Sequence, residues 1–195
     1  MEEIDGGAVV RAQSGDGDAF RLLVERHSRN VFRLAYRMTG NEQDAEDVVQ
    51  ETFLRAYKQL HNYEARSSFA TWLYRIASNY SLDLIRMRKR HNERREPAAP
   101  EGERDVFETI PANAPGPDRL VFSGQVQQRV NDAMNELSEQ ERAAFVLRHY
   151  EGLSIDEIGQ MLGTSINATK HSIFRAVQKL RRALEPLVSP AGSET

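Results

Sequence analysis

The chain contains no cysteine. Disulfides, thiolate catalysis, thiol sensing and cysteine-ligated zinc are therefore excluded. No stretch approaches the roughly 18 apolar residues that a membrane helix needs. The N-terminus, Met1-Glu2-Glu3-Ile4-Asp5, is acidic and has no apolar run behind it, which argues against a signal peptide. These absences lead us to expect a cytoplasmic protein with no membrane insertion. Catalytic patterns are missing too: there is no phosphate-cradling glycine loop, no H-E-x-x-H and no G-x-S-x-G. The histidines, His27, His61, His91, His149 and His171, are scattered without ligand spacing. We expect no enzyme activity, no cofactor and no metal. Strict alternation of period two is nowhere sustained, so no sheet is expected, and no repeated unit suggests a solenoid.

What is present is charge, unevenly spread. The net charge over 195 residues is −3, and 28% of residues are charged. Arg86 to Arg95 holds six Lys/Arg against one Glu, and Lys170 to Arg182 holds five with no acid. Glu42 to Glu51 holds five acids and no Lys/Arg. Separated surfaces of opposite sign imply two partners of opposite kind. Five of the seven prolines fall between Pro97 and Pro117, and the stretch Glu96 to Asp118 around them has six acids and few large apolar residues. Such a composition breaks helices and cannot form a core. We therefore expect an all-α chain of two small helical domains. Residues 1–95 form the first, 96–123 an acidic, Pro-rich flexible linker, 124–188 the second, and 189–195 a tail.

Phe20, Leu23, Val24, Val31, Leu34, Ala35 and Met38 mark one helical face, which Gly40 ends. Asn41 caps the next helix, with Asp44 three residues on and a stripe of Val48, Val49, Thr52, Phe53, Ala56 and Leu60. A longer helix carries Phe69, Trp72, Leu73, Ile76, Tyr80, Leu84 and Ile85. In the second part, Ser138 and Glu141 form a capping box, and Gly152 breaks the helix that follows. Ser154 and Glu157 form another box, ahead of Ile155, Ile158, Met161 and Leu162. Gly163-Thr164-Ser165 makes a tight turn into a last helix on Ile166, Thr169, Ile173, Val177, Leu180 and Leu184.

A short helix, a glycine turn and a longer helix make a helix-turn-helix, with Gly159 small where the helices cross. Asn167, Lys170, His171, Phe174 and Arg175 then face outward. In this motif such positions meet base edges in the major groove. Lys and Arg suit guanine and Asn suits adenine, while Lys179, Arg181 and Arg182 suit phosphates. A plain helical hairpin with a solvated basic face would carry the same pattern.

Three strings in order resemble a known family. Asp44-Ala45-Glu46-Asp47-Val48-Val49-Gln50-Glu51-Thr52-Phe53-Leu54-Arg55-Ala56-Tyr57 is similar to the polymerase-binding segment of bacterial sigma factors. Phe69-Ala70-Thr71-Trp72-Leu73-Tyr74-Arg75-Ile76-Ala77 resembles their promoter-melting helix, and Leu137 to Leu184 resembles their fourth region. With only second and fourth regions present, the chain resembles the extracytoplasmic-function (ECF) group of the sigma-70 family.

The resemblance implies core RNA polymerase (its β′ clamp helices and β flap) and promoter DNA as partners. It also implies an anti-sigma factor that holds the chain inactive. It places core-polymerase binding on Asp44, Asp47, Val48, Gln50, Glu51 and Phe53. It places −10 element binding on Tyr63, Arg66, Phe69, Trp72, Arg75, Asn79 and Arg86, and −35 element binding on Ser165, Asn167, Lys170, His171, Phe174 and Arg175. Aromatics interleaved with arginine suit unpaired bases, and in the family the loop before the melting helix pockets a flipped base. Phe69, Trp72 and Tyr80 also lie on the inward stripe, where core packing explains them equally well. Two features depart from relatives. Trp72-Leu73 stands where primary sigma factors carry paired tryptophans, which implies weaker melting. Thr169-Lys170-His171-Ser172 lacks an arginine many ECF members have. A dimeric helix-turn-helix regulator is the competing reading; it leaves the acidic face and the aromatic helix without a purpose.

Overall fold

The computed structural model describes residues 2–94, 126 and 128–188, and among them every regular element is helical. The expected linker, 96–123, and tail, 189–195, lie outside the described residues. The elements are α1 (Glu2–Gln13), α2 (Gly17–Thr39), α3 (Glu42–Gln59), a 3₁₀ turn (Leu60–Asn62) and α4 (Phe69–Arg94). After the linker come α5 (128–135), α6 (Glu139–His149), α7 (Ile155–Leu162) and α8 (Ile166–Val188).

Local chemistry sets the boundaries. Asp16 accepts from the Asp18 and Ala19 amides at 3.0 Å each and so starts α2. Gly40 takes φ 71 and donates its N–H to Tyr36 O at 2.8 Å, which ends α2 in a left-handed cap. Asn41 Oδ1 accepts from Asp44 N at 2.9 Å and starts α3. Both expected capping boxes are formed, Ser138 with Glu141 and Ser154 with Glu157.

α2, α3 and α4 enclose the first core, where Leu23, Val31, Leu34, Met38, Val48 and Leu73 are all fully buried. Each such side chain contributes about 1.5–3 kcal/mol relative to exposure. α1 had no counterpart in the sequence reading. It contributes only Ala8, Val9 and Ala12 to the core, and Gly6 and Gly7 weaken its helical pattern.

The second core joins Leu137, Ala143, Ala144, Val146 and Leu147 to Ile158, Met161, Ala176 and Leu180. α7 and α8 cross at Gly159, where an added Cβ would lie 3.0 Å from Thr164 O and 3.3 Å from Thr169 Oγ1. The inward face of α8 is Thr169, Ser172, Ala176 and Leu180. Ile166, expected inside, is exposed because it lies one turn before this crossing.

The two helical groups touch. Arg142 Nη1 on α6 donates to Met38 O at the end of α2 at 3.1 Å. Arg37 lies 4.1 Å over the Tyr150 ring and 3.7 Å from Glu151. Arg86 Nε on α4 lies 3.5 Å from Glu139.

Candidate polymerase and DNA interfaces

On α3 the structure splits the expected polymerase-binding set. Asp47 and Gln50 are exposed, and Glu51 is half-buried and bonded by Arg55 Nε at 2.6 Å. Three members turn inward. Val48 and Phe53 are core residues, since both lie on the stripe that packs against α2 and α4. Asp44 is 4% exposed, and its carboxylate takes Arg88 Nη2 from α4 at 2.6 Å. A buried carboxylate needs such a partner, so this pair ties α3 to α4, with Asp44 inside and Arg88 still half open at the surface. The sequence reading missed Leu54 and Tyr57, which are 46% and 59% exposed. Asp47, Gln50, Leu54 and Tyr57 are spaced i, i+3, i+7 and i+10, so they form one outward face. The signal was available: once the inward stripe takes Val48, Thr52, Phe53 and Ala56, these two side chains must point out.

The second surface is the loop 63–68 and the α4 face that follows it. Tyr63 Oη donates to Ser67 O at 2.6 Å, which folds the loop back on itself. Ser68 Oγ accepts from Thr71 N at 3.1 Å and starts α4. Tyr63 packs against Trp72 at 5.1 Å between ring centres with the rings tilted by 45°, and meets Phe69 edge-on at 5.7 Å. Phe69, expected at the −10 element, is buried at 4% exposure beneath the loop, so in this structure it packs on the core side of Tyr63. Trp72 is half-buried, packed on the same core with part of its indole on the surface. Arg66, Arg75, Asn79 and Arg86 are exposed, as the sequence suggested. Arg66 pairs with Glu64 at 2.6 Å, and Arg86 reaches both Asp83 at 3.7 Å and Glu139 at 3.5 Å.

The third surface is the first half of α8. Asn167, Lys170, His171, Phe174 and Arg175 are exposed, Phe174 by 61%. Ser165 is exposed as well, but its Oγ accepts from Ala168 N at 3.2 Å and so caps α8. Arg175 Nε lies 3.2 Å from Glu141, and Lys179 Nζ lies 2.7 Å from the same carboxylate. Burial alone would raise the Glu141 pKa. The Lys179 hydrogen bond, the Ser138 amide and the two cations outweigh burial and hold it below the usual carboxylate range.

This arrangement has known relatives. Residues 23–91 match the family described as Sigma-70 region 2, and residues 127–180 match Sigma-70, region 4. The chain is 33% identical over 188 residues to the ECF RNA polymerase sigma factor SigW of Bacillus subtilis, covering 96% of this chain and all of that one. It is 39% identical over 183 residues to SigE of Mycolicibacterium smegmatis, covering 92% of this chain and 68% of that one. The chain belongs to the ECF sigma factors. Its fold is similar to that of CnrH, solved in complex with the cytosolic domain of CnrY (TM-score 0.62, 29% identity, 93% and 97% of the two chains covered). It is also similar in fold to RpoE of Bartonella quintana, solved with the anti-sigma factor NepR (TM-score 0.63, 21% identity, 85% and 96% covered).

All three surfaces of this sigma factor fall within the two matched regions, whereas α1 precedes the first of them. Among the described residues no helix is long and apolar enough to cross a membrane, and no cluster of three or more His, Asp or Glu could hold a metal.

Proposed function

We propose that this ECF sigma factor divides promoter-specific initiation among its three exposed surfaces. The outward face of α3, with Asp47, Gln50, Leu54 and Tyr57, docks on core RNA polymerase, Glu51 flanking it. Acids beside apolar side chains suit a basic, amphipathic partner helix such as the β′ clamp helices. Tyr63, Trp72, Arg66, Arg75, Asn79 and Arg86 meet the −10 element. There an unpaired base stacks on rings while arginines hold the backbone. Asn167, Lys170, His171, Phe174 and Arg175 meet the −35 element in the major groove, with Arg181 and Arg182 at phosphates. The β flap is the expected second contact on polymerase.

Strand opening is driven here by binding energy, because a captured base stabilises the opened strand. The chain works in the cytoplasm and needs no chemistry of its own. Residues 1–95 and 124–188 act as separate modules on a linker at 96–123. An anti-sigma protein is the natural regulator, as NepR is the partner in the Bartonella complex.

The observation that carries this reading is the outward row Asn167, Lys170, His171, Phe174 and Arg175 on the second helix of a helix-turn-helix. The test is run-off transcription with core polymerase on genomic templates, followed by mapping of start sites. Transcripts from a limited promoter set are expected. No promoter-specific transcript on any template would end the proposal.

A further inference from the structure

The match to region 2 begins at residue 23, so α1 lies outside it. Yet α1 touches the loop that we assign to the opened strand. Gln13 Nε2 donates to Leu60 O at 3.0 Å and to Tyr63 O at 2.9 Å. One amide thus places both its N–H donors on backbone carbonyls at either end of the 3₁₀ turn from which the loop leaves. At the start of α1, Asp5 Oδ2 meets His27 Nε2 at 2.9 Å. The His27 ring lies edge-on to Phe69 at 5.5 Å, and Phe69 lies edge-on to Tyr63 at 5.7 Å. One end of α1 therefore holds the loop's backbone, and the other supports its aromatic floor.

The loop needs such a brace. Ala65 takes φ 54, and it is the one non-glycine residue with positive φ among the described residues. A residue with a Cβ stays there only where its surroundings impose that conformation. Water can replace Gln13 at the exposed Tyr63 carbonyl, and the part-buried Leu60 carbonyl keeps the Tyr63 N–H at 3.1 Å. Losing Gln13 should therefore change global stability little. It should widen the range of positions that the Tyr63 ring visits.

We infer that Gln13 is a positioning residue for base capture: its paired hydrogen bonds fix the Tyr63 backbone so that the ring meets an unpaired base in one geometry. The inference rests on the assignment of loop 63–68 to the opened strand.

The test uses the full chain assembled with core polymerase. The probes are fluorescent single-stranded oligonucleotides from the −10 region of a mapped promoter. Each is paired with a copy lacking one base, and the abasic position is moved through the element. The wild type should bind the intact oligonucleotide roughly tenfold more tightly than the abasic one at a single position. Gln13→Ala and Gln13→Glu, which lack the donors, should bring that ratio close to one. Affinity for the abasic copy, affinity for core and the melting temperature should stay within about twofold or a few degrees. Gln13→Lys reaches both carbonyls with donors and should restore the ratio. A wild-type ratio in Gln13→Ala would overturn the inference, as would equal weakening of both oligonucleotides, which marks a merely structural role. If the wild type discriminates at no position, the assignment of the loop itself has failed and Gln13 falls with it.

Discussion

Glu141 ties the start of α6 to the middle of α8. It accepts from Ser138 N at 3.0 Å and from Lys179 Nζ at 2.7 Å, while Arg175 Nε lies 3.2 Å away. These partners hold its pKa below the usual 4.5 despite the opposing effect of burial. The native state therefore binds fewer protons than the unfolded chain as pH falls into that range. The stabilisation is fully present above about pH 4.5 and is lost as pH drops through the lower folded value. Glu141→Gln should cost about 1–3 kcal/mol at neutral pH and flatten the acid limb of the melting temperature. An unchanged acid limb in that variant would contradict the assignment. On the open side of α8, Lys170→Ala and Arg175→Ala should each weaken −35 binding by about 1–3 kcal/mol if they contact bases. Affinity that no longer varies between −35 sequences is the signature to seek. Affinity equal to wild type across all of them would remove these residues from the readout.

At the scale of the element, the α7–α8 crossing is the tightest joint. Gly159→Ala would push a methyl group to 3.0 Å from a backbone oxygen that cannot rotate away. We expect a loss of about 1–3 kcal/mol by thermal melting, together with weaker −35 binding. Full retention of both would show that the crossing can relax. This joint was legible in the sequence, because glycine turns and capping boxes are local signals. Asn41, Ser138, Ser154, Gly40 and Gly163 all act where the pattern placed them. The α3 interface was legible only in part. A contiguous string suggested Asp44, Val48 and Phe53 as contacts, but at 3.6 residues per turn Phe53 shares its face with Val49 and Ala56. The partner of Asp44 is Arg88, 44 positions along the chain, and no local pattern shows that pair. α1 escaped notice for another reason: its buried residues are small and glycines interrupt it.

Across the whole molecule, the helices of the two regions rest against each other through Arg142, Arg37 and Arg86. None of this was readable from sequence. Arg142 meets Met38 through a backbone carbonyl 104 positions away, a group every residue carries. The contact also bears on function. Elements centred near −35 and −10 lie about 25 base pairs, or roughly 85 Å, apart along duplex DNA at ~3.4 Å per pair. On the proposed assignment of the two modules to these elements, modules in direct contact cannot reach both, and we predict that promoter binding parts them. The chain lacks cysteine, so single cysteines introduced at exposed Gln43 and Gln178 would take fluorescent labels cleanly. Energy transfer between them should fall when core and promoter are added. Constant transfer would show that the closed arrangement persists on DNA.

The central claim is that polymerase and promoter are met by different surfaces, and paired binding assays on two variants test it most directly. Asp47→Arg with Leu54→Ala should lose most affinity for core polymerase while the chain stays folded and its α8 face still prefers −35 DNA. Lys170→Ala with Arg175→Ala should bind core as the wild type does and lose that preference. Two variants that fail in both assays, or in neither, would contradict the account.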